Sequence, residues 1–327
     1  MKQQRTYWHL DGLGRVPSDY DIGTTSLLYY PERGFEVATP GADWYRRHQQ
    51  GWWLQLGGCQ SFKDPRETTY ARYTELQKEH EAYVDRLFHA FEETAYDSEL
   101  PSAWLTQLDS WLPVLRYPCH ALQMLAAYVG QMAPASRVVV ACCFQAADEM
   151  RRIQRIAYRM RQLQDVRRGF GTLSKKDWEH ASPWQPLRAL IERLLVTYDA
   201  GSAFVGLNLV LKPMFDRLFM QEFASLADQS RDVLFSRVLA SLEEDCRWHR
   251  QWVASLVRVA LAGTPELAAA LQPDLQRWHE LAGSALDALE PLWTAETRSW
   301  SVVQHELRTD CIRFWEQADL IPGGGPT

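Results

Sequence analysis

The chain has 327 residues, 46% hydrophobic and 23% charged, a globular balance long enough to bury one large core or two smaller ones. A net charge of -6 and a pI near 5.9 give no overall basic field, which excludes nucleic-acid binding by the surface as a whole. The longest central apolar run, Val138 to Ala147, falls short of the ~20 residues a bilayer requires, and MKQQRTYWHLDG lacks a signal-peptide core. The expectation is a cytoplasmic protein with no membrane partner.

Residues 1–63 read as an irregular arm. Gly12, Gly14, Pro17, Gly23, Pro31, Gly34, Pro40 and Gly41 break any periodic face, while Trp8, Tyr20, Tyr29, Tyr30, Trp44, Tyr45, Trp52 and Trp53 are too many aromatics for a disordered tail. The arm is therefore expected to lie on something, either the chain's own body or a partner, with wrapping on a partner chain the expectation taken forward. From Asp64 to residue 320 the pattern is helical throughout. Asp64-Pro65 supplies a cap and a first-turn proline, followed by Tyr70, Tyr73, Leu76, His80, Tyr83, Leu87 and Phe91 on one face. Pro101 opens a helix carrying Trp104, Leu108, Trp111, Leu112 and Leu115; the next runs from about His120 to Met132, and Pro134 opens another to Gln164. After a polar break at 167–185, helices are expected over Leu187–Asp199 and Gly201–Leu226, the second kinked at Pro213. Asp232–Leu261, Pro265 to about Trp293, and Glu296–Leu320 complete the body, and IPGGGPT (321–327) is a breaker-rich tail. No useful alternating run appears, so the fold class is all-α, a long-helix bundle.

Of 35 basic residues only six are lysine, and there are 14 tryptophans. Arg and Trp are enriched at stable interfaces and Lys is depleted there. The cysteines at 59, 119, 142, 143, 246 and 311 form no CxxC pair and read as buried reduced thiols.

A di-iron site in a four-helix bundle takes one Glu from each of two helices and Glu-x-x-His from each of two others, since i and i+3 share a face. No glutamate here has histidine three residues later. The nearest shapes are Gln145-Ala-Ala-Asp148 and Cys246-Arg-Trp-His249, which keep the spacing without the ligand types. A neutral amide is a poor ligand for a hard metal, so Gln145 and Asp148 read as a polar pair facing a neighbouring helix and His249 as a hydrogen-bonded helix histidine. Glu243-Glu244-Asp245 lacks the aspartate-rich cluster of an isoprenoid synthase and reads as a solvated or partner-facing acidic patch. Arg151, Arg155 and Arg159, at i, i+4 and i+8 with Arg152 beside them, read as a charged outer face, with docking of an acidic partner as the alternative. P-loops, nucleophile elbows and dinucleotide fingerprints are absent, and no catalytic, cofactor-binding or metal residue is assigned.

The segments HALQMLAAYVGQMAPAS, ACCFQAADEMRR and AYR, together with RTYWHL, PSDYDI, ADWYRR, FKDPRETTYARYTELQKEHEAYVDRLF and FVGLNLVLKPM, lie in order over residues 5 to 260. In this the chain resembles the β subunit of the hydroxylase in bacterial multicomponent di-iron monooxygenases of the toluene, alkene and isoprene branch. The resemblance implies a ferritin-like fold without metal of its own. It implies an iron-bearing α partner and a γ chain in an α2β2γ2 hydroxylase. It also implies a regulatory protein and an NADH-fed ferredoxin and reductase, with one oxygen atom of O2 inserted into an aromatic or alkene hydrocarbon at the α di-iron centre. A self-sufficient helical enzyme, metal-dependent or isoprenoid-synthase-like, is the alternative.

Overall fold

The computed structural model describes residues 7–25, 39–53, 59–294 and 298–322; Tyr29, Tyr30 and most of the tail lie outside them. Twelve helices are used below. In the arm, α1 is Asp19–Thr24 and α2 is Pro40–Gln49. In the body, α3 is Tyr70–Glu92, α4 Ser102–Trp111, α5 Arg116–Met132, α6 Ser136–Val166, α7 Ser174–His180 and α8 Gln185–Leu195. α9 is a composite over residues 200–229, α10 is Val233–Gly263, α11 Leu267–Asp287 and α12 Trp300–Gln317. No strand occurs among the described residues.

Local chemistry sets the helix starts. Asp64 does not cap α3: its carboxylate takes the amides of Arg66 and Thr68 in a turn where Glu67 has φ 45°, and Thr69 caps the helix by accepting from Arg72 N. Asp232 caps α10 through Phe235 N and also accepts Trp104 Nε1 at 2.9 Å, tying α4 to that helix start.

At 31 residues each, α6 and α10 run about 46 Å and form the long walls of the bundle. A three-residue link joins α5 to α6, and the two approach so closely that a Cβ on Gly130 would stand 2.8 Å from Cys142 Cβ. The most enclosed element is α9, buried on every side from Ala203 to Asp216. It winds as α-helix except over Val205–Leu211 and Arg217–Glu222, which are π-helical and flank Pro213. Proline supplies no amide to the ladder, and the wider π turns on either side rearrange the hydrogen bonds around it. α3 packs on α10 and is ion-paired to α6, while α11 and α12 pack on α9.

The arm departs from expectation. Two short helices form in it, and Tyr20, Trp52 and Trp53 are buried in the chain's own body, with both tryptophans packing on Phe204 of α9. Asp21 anchors α1 to α6 by an ion pair with Arg137 at 2.8 Å. These rings cannot be wrapping a partner. Trp44, unlike Trp52 and Trp53, is exposed, with its ring tilted against His48 and edge-on to Tyr198.

A buried charge cluster inside the bundle

The inner face of α6 carries Gln145, Asp148, Glu149 and Arg152, positions i, i+3, i+4 and i+7 of one stripe. All four are buried, and they divide into three contacts. Gln145 Nε2 donates to Asn208 Oδ1 in the first π segment of α9 at 2.8 Å. Asp148 accepts from Tyr73 at 2.7 Å and Gln77 at 2.8 Å, both on α3, and its other oxygen lies 2.9 Å from His249 Nε2 on α10. Glu149 and Arg152 meet α9: Arg152 Nη1 is 3.1 Å from both Glu149 and Asp216, and Lys212 Nζ pairs with Glu149 and, at 3.1 Å, with Asp216. Arg152 also donates to the Cys246 thiol on α10 and interacts with the Cys119 thiol on α5.

Two cations, two carboxylates and two thiols thus fill the space where α5, α6, α9 and α10 face one another. Burial alone would push the Asp216 carboxyl upward, but Lys212 and Arg152 outweigh it and hold it below the ordinary range. Lys212 is held protonated: burial opposes its charge, and Asp216 and Glu149 restore it. The thiols respond in the opposite sense, since burial pushes Cys119 up to about 12 and Cys246 well above its usual value. Burial, then Lys212 and Arg152, drives His249 well below 6.5, whereas burial and then Asp245 raise Asp148. The cluster is a self-neutralised set with no excess negative charge.

Such a set does not suit a metal. One ligand-type atom each of Asp216, Cys246 and His249 lies within 4.8 Å of the others, which is metal-like spacing. Arg152, however, sits on both the Asp216 carboxylate and the Cys246 thiol, Lys212 takes the same carboxylate, and the thiol holds its proton where a metal would need thiolate. A pair of irons would add positive charge to a site already containing two cations and only two carboxylates.

The charged runs lie elsewhere than the sequence suggested. Arg151, Arg155 and Arg159 are buried, not an outer face, and their acidic partners belong to this same chain. Arg151 reaches Glu81 at 2.7 Å and Asp245 at 2.6 Å, Arg155 reaches Glu81 and, at 2.6 Å, Asp85, and Arg159 reaches Asp97 at 2.7 Å and Asp232 at 3.5 Å. The acids of α3, at i and i+4, match the arginines of α6 at the same period. In the run 243–245 only Glu244 is exposed: Glu243 pairs with Arg250 and Asp245 with Arg151, which corrects the reading of a solvated patch. Cys143 is exposed, so the buried-thiol reading holds for the other five. Glu149, Lys212 and Asp216 were not singled out from sequence, and Arg152 and Cys119 were read only as part of a charged face and as a buried thiol, although Lys212 with Asp216 four residues on, inside the apolar run FVGLNLVLKPMFD, marks a buried pair.

Comparison with known proteins agrees with this architecture. Residues 44–264 match the family described as methane/phenol/alkene hydroxylase. The β subunit of the toluene-4-monooxygenase hydroxylase component of Ectopseudomonas mendocina is 34% identical over 296 residues, covering 88% of this chain and 90% of that one. A chain from a solved structure of toluene 4-monooxygenase with toluene in its resting active site superposes with a TM-score of 0.83 at 33% identity, covering 89% and 98% of the two chains. The small hydroxylase subunit of propane 2-monooxygenase from Rhodococcus jostii (strain RHA1) is 27% identical over 58% of this chain and 54% of its own length. Phenol hydroxylase from Pseudomonas sp. OX1, at 18% identity and a TM-score of 0.85 over 98% of this chain and 96% of that one, shares the fold. The chain belongs to the methane/phenol/alkene hydroxylase family. Its likeness is to the β subunits of hydroxylase components.

Proposed function

We propose that this chain is the noncatalytic β subunit of a di-iron monooxygenase hydroxylase. Its work is to clad and brace an iron-bearing α partner, at whose di-iron centre one oxygen atom of O2 enters an aromatic or alkene hydrocarbon. The observation that carries the reading is the pair of buried cations, Arg152 and Lys212, at the centre of the bundle. In di-iron bundles two helices give one ligand each and two give i, i+3 pairs. Here Cys119 of α5 and Lys212 of α9 are the single contributions, and Glu149 with Arg152 on α6 faces Cys246 with His249 on α10. In this register Gln145 and Asp148 pack the adjacent layers. The charge that two irons would bring is supplied by side chains. The same pair of cations argues against a self-sufficient metal enzyme.

An α2β2γ2 assembly, a regulatory protein, an NADH-fed ferredoxin and reductase, and a cytoplasmic location go with this reading. No helix among the described residues is long and apolar enough to cross a membrane. An obligate interface of this kind commonly buries roughly 2,000–5,000 Å², and the exposed Trp44, Tyr198 and Val196 offer apolar surface for it. Co-expression with the α and γ chains, followed by separation, tests the assignment. The isolated chain is expected to show no hydrocarbon oxidation, and activity is expected only in complexes containing α; turnover by this chain alone would overturn it.

A further inference from the structure

Every buried arginine among the described residues meets a carboxylate of the chain itself, whereas one surface groove carries arginines that do not. It has a volume of about 530 Å³ and is lined by Arg66, by Arg247, Arg250, Gln251, Ala254 and Arg258 of α10, and by the end of α12. Arg250 is neutralised by Glu243. Arg66, Arg247 and Arg258 are exposed and have no carboxylate partner among the described residues. Arg66 lies over the Trp248 ring at 5.7 Å, and Arg258 Nη1 donates to the Gln317 carbonyl at 2.6 Å. These contacts orient two of the guanidinium groups and leave their charge uncompensated. The floor is apolar, formed by Ala254 and Phe314, both buried.

Spacing decides what such a groove can hold. Arg247, Gln251, Ala254 and Arg258 stand at i, i+4, i+7 and i+11, one stripe of α10, so its terminal arginines are about 16 Å apart along the axis. A single phosphate or carboxylate cannot meet both. An extended peptide of about five residues spans that distance, and carboxylates along it would pair with the arginines in turn while its backbone lay over Phe314. A nucleic-acid strand is the other elongated anion. Against it stands a groove lining whose one aromatic ring, Phe314, is buried and unavailable for stacking.

We propose that the groove between α10 and the end of α12 docks an acidic extended segment of a partner chain of the hydroxylase, clamped by Arg66, Arg247 and Arg258. This rests on the subunit reading above. Arginine-rich sites of this kind set orientation and association rate, and their strength falls with salt.

The test uses the assembled complex. Gln251→p-benzoylphenylalanine places a photo-crosslinker on the groove wall without touching the arginines. Irradiation and peptide mapping are expected to join it to an acidic stretch of a partner subunit. In parallel, R247E/R258E is expected to weaken assembly by ~10-fold or more and to flatten its salt dependence, while the variant chain keeps the wild-type helical spectrum. A crosslink to this chain's own C-terminal residues or to a second copy of it would overturn the proposal. So would an intact complex with no crosslink and unchanged salt dependence, or binding of a short single-stranded DNA to the groove. An intact, active complex with a free groove would leave the subunit assignment standing and remove only this docking claim.

Discussion

Arg152 carries the largest local burden. It is 2% exposed and serves Glu149, Asp216 and the Cys246 thiol together. Arg152→Met leaves two carboxylates with one cation between them and is expected to cost about 3–5 kcal/mol, the range for breaking a buried pair from one side. Replacing Lys212 and Asp216 together by apolar residues of similar volume is expected to cost less than either change alone, because no orphaned charge remains. Urea melts of the four variants against the wild type check both statements. The Asp148–His249 contact gives a signed pH effect. His249 is held below 6.5, so the unfolded chain gains a proton there that the folded chain refuses, and stability rises with pH up to about 6.5. Asp148 is held above 3.8, so its folded form keeps a proton that the unfolded form releases, and stability falls as pH rises above 3.8. The two slopes oppose each other. Asp148→Asn removes the falling one, and stability measured across that window is expected to climb more steeply with pH than in the wild type. The spacing of such a site was legible in the sequence, but its occupants were not. Residues 145, 148, 149 and 152 share one helical face, so periodicity alone cannot tell which i, i+3 pair points at Lys212 and which at Asn208.

At the scale of elements, α3 acts as a strut whose acids lock into α6. Glu81 receives both Arg151 and Arg155 and is the joint of that contact. Glu81→Ala is expected to loosen α3 by about 2 kcal/mol, read as faster amide exchange over residues 77–88 with little change in α5 or α9. Unchanged exchange there would show that α3 is held by its apolar face alone. The long helices could be placed from their apolar period because each buries one stripe. α9 was placed with its ends within a few residues, yet its two π segments were not foreseen; a helix buried on every side has no periodic contrast to betray a change in winding. The arginine stripe was misread for a related reason. Helical charge at i, i+4 and i+8 looks the same in sequence whether it meets water or the acids of another helix, and only the matching spacing of Glu81 and Asp85 on α3 distinguishes the two.

For the molecule as a whole, the arm is part of the body. Asp21 is held to about 2: burial works against its charge and is outweighed by the Ser18 hydrogen bonds and the Arg15 and Lys63 charges, while Arg137 grips the same carboxylate. Its contribution is therefore complete above about 3.8 and disappears as pH falls through about 2. Arg137→Ala is expected to free α1 at neutral pH, seen as rapid proteolytic cleavage within residues 19–25 of a chain whose helical body stays intact. Aromatics without periodicity told that the arm lies on something, and only the structure shows that Tyr20, Trp52 and Trp53 lie on this chain. The central claim is that this bundle supplies its own cations where a di-iron bundle would hold metal, and iron content tests it most directly. After anaerobic loading with ferrous iron and desalting, the full chain alone is expected to retain essentially no iron, and the assembled hydroxylase to hold only what its α chains account for. Stoichiometric iron on the isolated chain, abolished by substituting Asp216 or His249, would contradict the account.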